Sequence, residues 1–147
     1  MLTHHDLDHI GNAFMLQKLT KAKLWASSED IPFIMGNKER PGIKKIFASI
    51  FPVKKPEEIQ PYNKDVKIGD IEIIKTPGHV SILYKDVLFA GDLVKCKSGK
   101  LIAFPNMNFD EELLRKSIKS ITSIPFKWVC PAHGEPVERG NQWETIK

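Results

Sequence analysis

Two cysteines in 147 residues, Cys96 and Cys130, with no CxxC spacing, offer no disulfide framework and argue against a small stapled secreted domain. Both thiols are expected to be reduced. No apolar run approaches the roughly 18 residues that a spanning helix needs, and the opening MLTHHDLDH has neither the basic nor the apolar region of a signal peptide. The chain therefore reads as cytoplasmic, with no membrane partner. Lys and Arg number 22 against 18 Asp and Glu, but the excess of +4 is dispersed over turns and polar faces. The missing basic stripe argues against a nucleic-acid partner. No GxSxG elbow marks a serine nucleophile, and no internal repeat is visible. What remains, at 41% hydrophobic and 27% charged, is an ordinary globular composition of one-domain length.

The five histidines carry the information: His4, His5, His9, His79 and His133. Three fall within nine residues, and every one stands in polar or glycine-containing sequence beside Asp, Gly or Pro. A core histidine usually sits singly on a periodic apolar face, so this distribution points to metal ligation.

Around them the chain reads as mixed α/β. Gly11 to Lys21 carries Phe14, Met15, Leu16 and Leu19 at near-helical spacing, which predicts a helix starting right after His9. Residues 23–26 read as a short strand, and Ser27 to Asp30 with Pro32 as the start of another helix. Residues 37–64, with Pro41, Pro52, Pro56 and Pro61 and an amphipathic piece at Ile43–Phe51, read as a lid or irregular excursion. From Val66 the β-branched and aromatic runs, broken at Gly69–Asp70 and Lys85–Asp86, predict hairpin strands. Asn108 or Asp110 can cap a helix bearing Leu113, Leu114, Ile118 and Ile121, and Phe126–Cys130 reads as a final strand. Helices and sheet sharing one core give an α/β layered fold.

The metal candidates all fall at strand ends, where sheet proteins build sites. His4, Asp6, Asp8 and His9 come from one turn, and His79, Asp92 and His133 from three others. Together they hold enough nitrogen and oxygen for two metal ions with a position left for water. Two ions about 3.5–4 Å apart can share a hydroxide and clamp both the attacking and the developing oxygen.

LTHHDLDHIG at 2–11, TPGHVS at 76–81, FAGD at 89–92 and CPAHGEP at 130–136 resemble the four metal motifs of the metallo-β-lactamase superfamily, in the family's order. The resemblance implies an αββα sandwich, with His4 and His79 on the first metal, Asp8, His9 and His133 on the second, and Asp92 bridging. It implies Zn2+, one or two ions, as cofactor and a small-molecule substrate. The leading motif departs from the family's H-x-H-x-D-H by placing Asp6 at the second histidine. Asp6 is a harder ligand that moves the preference towards Mn2+ or Fe2+, and it is favoured over His5 because neighbouring side chains diverge in an extended segment. TPGHVS stands where many relatives double the motif, and Ala132 stands where glycine is common, which a negative φ would allow. The family has strands ahead of its first motif, so the chain reads as an N-terminally truncated domain over 1–147, which a homo-oligomer could cover.

The expected function is a metal-dependent hydrolase. A metal-bound hydroxide, oriented by Asp8 between ions that Asp92 bridges, would attack an ester, thioester, lactone or phosphodiester. The alternative is an inactive or partner-dependent metal-binding half-domain without turnover. Lys95, Lys97 and Lys100 are expected in a solvated turn rather than greeting an anionic substrate, and Phe104, Phe109 and Trp143 in packing rather than in a pocket.

Overall fold

The computed structural model describes residues 1–40, 42–62, 68–76, 79–104 and 110–146. The chain forms two compact units, Met1–Asp65 and Val66–Lys147. No helix among the described residues is long and apolar enough to cross a membrane.

The first unit holds α1 (Leu7–Ile10), α2 (Ala13–Thr20), β1 (Trp25–Ala26), α3 (Ile31–Ile34), α4 (Ile43–Ile50) and β2 (Gln60–Pro61). β1 and β2 run parallel, with Trp25 opposite Gln60. The core is small: Leu2, Ile10, Ala13, Ala26 and Ile34, with Leu24, Ile31 and Val53 against it. The helix expected after His9 is α2, and an unread helical turn, α1, precedes it from Leu7, where extended Asp6 turns its carbonyl towards the amides of His9 and Ile10 (3.0 and 3.1 Å). Asp8 and His9 therefore ride on a helical turn. Of the apolar positions read into α2, Met15, Leu16 and Leu19 are exposed, and Ala13 is the one α2 buries. The stretch read as an excursion contains α4 and β2.

The second unit is built on one sheet. β3 (Ile71–Thr76), β4 (His79–Tyr84) and β5 (Val87–Gly91) form an antiparallel meander, as the hairpin reading expected. A separate hairpin, β6 (Val94–Lys97) and β7 (Lys100–Ala103), follows, and then α5 (Glu111–Ile121), β8 (Trp128–Pro131) and β9 (Val137–Glu138). The sheet order is β3-β4-β5-β8-β9, with β8 parallel to β5. Parallel neighbours need a crossover, which the β6–β7 hairpin and α5 provide.

The β6–β7 hairpin went unread because lysine fills its outward positions. Val94, Cys96 and Leu101 point inward and are buried, while Lys97 and Lys100 flank a Ser98–Gly99 turn with positive φ at both residues. That two-residue turn matches the twist of the strands it joins. The Lys95, Lys97 and Lys100 stretch is thus a strand pair and not a loop.

Asp110 caps α5, accepting from the amides of Glu112 and Leu113. Asn108, the other candidate cap, lies outside the described residues. The buried stripe is Leu114, Ser117, Ile118 and Ile121, spacing i, i+3, i+4, i+7, and Leu113 falls off it and is exposed. These residues pack with Leu88, Val129, Leu93, Phe126 and Trp143 in one core, where each large side chain contributes about 1.5–3 kcal/mol. Trp143 is a core residue, its indole N–H donating to the Ile118 carbonyl at 3.0 Å. The strand read as final is followed by β9, which places His133 in the turn between β8 and β9.

Candidate metal centre

In the first unit the ligand segment is tied down at both faces. The Leu2 amide donates to the Trp25 carbonyl (2.8 Å), and buried Tyr62 donates its hydroxyl to the Leu2 carbonyl (3.0 Å). Burial pushes the Tyr62 phenol above its ordinary pKa, so it stays a donor. His4 is 1% exposed, with its Nδ1 3.1 Å from Thr3 Oγ1 and its Nε2 3.6 Å from Asp6 Oδ2. Its ring centroid lies 3.9 Å from that of His9. His9 Nε2 lies 3.6 Å from Asp8 Oδ2, and the Asp8 side chain is 60% exposed. The structure therefore gathers His4, Asp6, Asp8 and His9 into one cluster of imidazoles and carboxylates, the donor set that borderline divalent metals take.

His5 is turned to a different task, as the geometry of adjacent side chains predicts. Its Nδ1 lies 2.5 Å from Asp30 Oδ1, and its ring stacks on Phe33 with centroids 4.4 Å apart. Ser27 Oγ donates to the other Asp30 oxygen, and Arg40 donates to the His5 carbonyl at 3.1 Å. Burial alone would raise the Asp30 pKa, but the hydrogen bonds from His5 and Ser27 outweigh it and hold the carboxyl below its usual range. These contacts clamp the backbone on either side of which His4 and Asp6 project.

Asp6 carries a feature that sequence spacing could not show. Lys44 on α4 places its Nζ 2.7 and 2.9 Å from the two Asp6 oxygens. Burial opposes ionisation of Asp6, yet hydrogen bonds from His4 and Lys44 win and keep it well below the ordinary carboxylate range. Lys44 lies 38 residues away along the chain, so no local signal could have paired it with Asp6.

Beside this cluster the first unit opens a cleft of about 390 Å³, lined by Asp6, Leu7, Asp8, Arg40, Lys44, Phe47, Phe51 and Val53. That volume lies within the roughly 300–1,000 Å³ of small-molecule sites.

In the second unit the sheet brings its three candidates to one edge. Parallel β5 and β8 both end there, with Gly91 opposite Pro131, so Asp92 and His133 leave the same edge. Asp92 is 3% exposed, and its Oδ1 lies 3.4 Å from His133 Nε2. His79 opens β4, which runs antiparallel to β5, so it lies at the end of that strand pair where Asp92 follows β5. Pro77 and Gly78, which precede it, lie outside the described residues.

The His133 turn is held through its backbone. The Cys96 amide donates to the His133 carbonyl (2.9 Å), and the Ala132 amide to the Gly91 carbonyl (3.0 Å). Ala132 has negative φ, so its methyl is tolerated; the positive φ falls on Gly134 (+102°), where a Cβ would stand 2.2 Å from the Cys96 carbonyl oxygen. Phe104 meets the His133 ring edge-on at 5.0 Å, and Lys95 Nζ lies 4.8 Å from the Phe104 centroid. Phe109 lies outside the described residues.

The comparisons with known proteins bear on the family and the fold. The profile of the metallo-beta-lactamase superfamily matches residues 1–133, a span that runs from the first candidate ligand to the last. A probable metallo-hydrolase of Methanocaldococcus jannaschii is 39% identical over 66 residues, which cover 42% of this chain and 32% of the relative. The match thus spans about a third of that protein's length. Among solved structures, TTHA1623 in a di-iron-bound form shares 21% identity at a TM-score of 0.72, covering 98% of this chain and 73% of that one. An archaeal metallo-beta-lactamase superfamily protein from Sulfolobus tokodaii shares 22% at 0.71, covering 98% and 64%. With its mixed α/β fold and a profile match over nine-tenths of its length, this chain belongs to the metallo-β-lactamase superfamily.

Proposed function

We propose that the chain is a metal-dependent hydrolase whose ions are held by His4, Asp6, Asp8, His9, His79, Asp92 and His133. In this reading His4 and His79 serve one ion, Asp8, His9 and His133 a second, and Asp92 both. The observation that carries it is the Asp92–His133 pair: a buried carboxylate 3.4 Å from an imidazole, at the sheet edge where two parallel strands end. The name of the Methanocaldococcus jannaschii relative supports hydrolysis as the activity.

The donor chemistry fits zinc, and the carboxylate at position 6 extends the fit to iron or manganese. The di-iron form of TTHA1623 supports that extension. When bound, such ions supply Lewis acidity that brings the pKa of water towards about 7. The chain's own residues do the rest. Asp8, with its exposed carboxylate, orients the attacking water and takes up its proton at an Oδ atom. Buried Asp92 holds the His133 imidazole in register, and the His5–Asp30 contact keeps His4 and Asp6 from turning away. Ester, thioester, lactone and phosphodiester substrates all meet these requirements.

Elemental analysis of the purified chain, followed by a screen on those four substrate classes after loading with zinc, manganese or iron, tests the proposal. Close to two ions per chain and turnover of at least one class is the expected result. Metal uptake with a cooperative melt and no turnover in any metal state overturns the hydrolase reading. It would favour instead a metal-binding module that works through a partner, a reading in keeping with the 32% of the curated relative that the match covers.

A further inference from the structure

Helix α4 is tied to the rest of the first unit through one side chain. Among the described residues, its one hydrogen-bonded or ionic link to anything outside residues 39–51 is the contact of Lys44 with both oxygens of Asp6. Its other bonds are local: Lys45 pairs with Glu39 at 2.8 Å, Ser49 donates to the Ile46 carbonyl, and the Phe51 amide donates to the Phe47 carbonyl. No described α4 side chain is buried, and none belongs to the core around Leu2, Ile10 and Ile34. Ile46, Phe47 and Ile50 are exposed instead. Yet Lys44 and Phe47 line the same cleft as Asp6, Leu7 and Asp8, so α4 is a wall of that cleft.

We propose that Lys44 is an autoinhibitory latch: in the metal-free chain its ammonium stands on Asp6, and metal binding at Asp6 expels it and releases α4 from the cleft. This rests on the reading of Asp6 as a metal ligand and gives that site a moving wall. Charge supplies the reason. Asp6 is 8% exposed, and its carboxylate and the Lys44 ammonium together are neutral. A divalent ion on the same carboxylate sets two positive centres side by side where little water screens them. Asp6 is held close to His4 and His5, with Oδ2 3.6 Å from His4 Nε2 and Oδ1 3.9 Å from His5 Nε2, whereas the Lys44 side chain is 22% exposed and has solvent to move into. The lysine is therefore the partner that leaves. Once it does, α4 keeps only its local bonds and its surface contacts, and a helix of eight residues is too short to persist without tertiary support.

Hydrogen–deuterium exchange of the full chain with and without zinc tests this, with bound zinc measured on the same samples. Zinc should speed exchange of the amides within Ile43–Ile50 by roughly fivefold or more while slowing those of residues 4–10. Trypsin should cut after Lys45 correspondingly faster in the zinc-bound chain. Lys44→Met should exchange fast in α4 without metal and change little when zinc is added. Lys44→Arg, which keeps a cation able to pair with Asp6, should behave as the parent does. Zinc bound while α4 exchange is unchanged or slowed overturns the latch, as does a Lys44→Met chain whose α4 exchanges like the parent's. Release of α4 by zinc with no substrate turned over leaves the latch standing and defeats the hydrolase reading. Turnover with α4 exchange unmoved by zinc does the reverse.

Discussion

Lys44 Nζ reaches both carboxylate oxygens of Asp6, at 2.7 and 2.9 Å, and so holds the residue that stands where the superfamily's leading motif has its second histidine. The ammonium supplies a positive charge to a buried carboxylate that would otherwise be costly to keep ionised. A divalent ion held by Asp6, as proposed, would supply the same compensation, so the lysine and the metal would compete for one acceptor.

Lys44→Met should therefore lower the melting temperature of the metal-free protein. The loss should be smaller than the roughly 3–5 kcal/mol of a fully buried broken pair, because the Lys44 side chain is 22% exposed. Added zinc or iron should restore more stability to the variant than to the parent chain. Thermal melts of both proteins with and without metal check this, and equal metal-induced shifts would show that Asp6 is not a ligand.

Acid should weaken the fold through Asp6 and Asp30. Both have folded pKa values below their ordinary 3.8. A depressed carboxyl adds stability above its unfolded pKa, and the unfolded chain binds more protons as pH falls. Stability is then lost downward from about pH 5, through about pH 4 and below. Asp30→Asn should flatten that acid limb and, by leaving the His5 and Ser27 contacts poorly met, cost about 1–3 kcal/mol at neutral pH. Urea unfolding at a series of pH values gives both numbers.

Asp92→Ala should abolish turnover and reduce bound metal. The loss in metal affinity should exceed the roughly 10–100-fold typical of a residue that only supports a ligand. Metal content after dialysis measures it, and retention of full content by the variant would place the centre elsewhere.

Gly134→Ala and Gly99→Ala separate steric clash from backbone strain. Both glycines have positive φ, +102° and +74°. A methyl at 134 would meet the Cys96 carbonyl oxygen at 2.2 Å, whereas at 99 it meets nothing within 4 Å. Gly99→Ala should cost only conformational strain, about 1–2 kcal/mol, and leave metal binding alone. Gly134→Ala should cost more and weaken metal binding, because relief of the clash moves the neighbouring His133. Chemical denaturation paired with metal titration of the two variants checks the contrast.

How much could be read in advance varies along the chain with the range of the forces involved. The β3–β5 meander was legible because alternation and turn residues act over a few positions, and α5 because Asp110 and the buried stripe repeat at helical spacing. The short α1 went unread: whether Leu7 to Ile10 coil depends on where the Asp6 carbonyl points, which neighbouring letters do not settle. The β6–β7 hairpin was missed because its lysines mask the alternation of Val94, Cys96 and Leu101.

The amino-acid sequence by itself determined the family and nominated the candidate ligand types in their order, since the chemistry of imidazole and carboxylate and the local turns around them are written in short motifs. Tertiary structure decided what each of these side chains has for company: Lys44 on Asp6, Asp30 and Phe33 on His5, and Cys96 behind His133. Those contacts join residues up to 38 positions apart, and hydrogen bonds and packing form wherever the folded backbone brings groups within a few ångströms, irrespective of their distance along the chain.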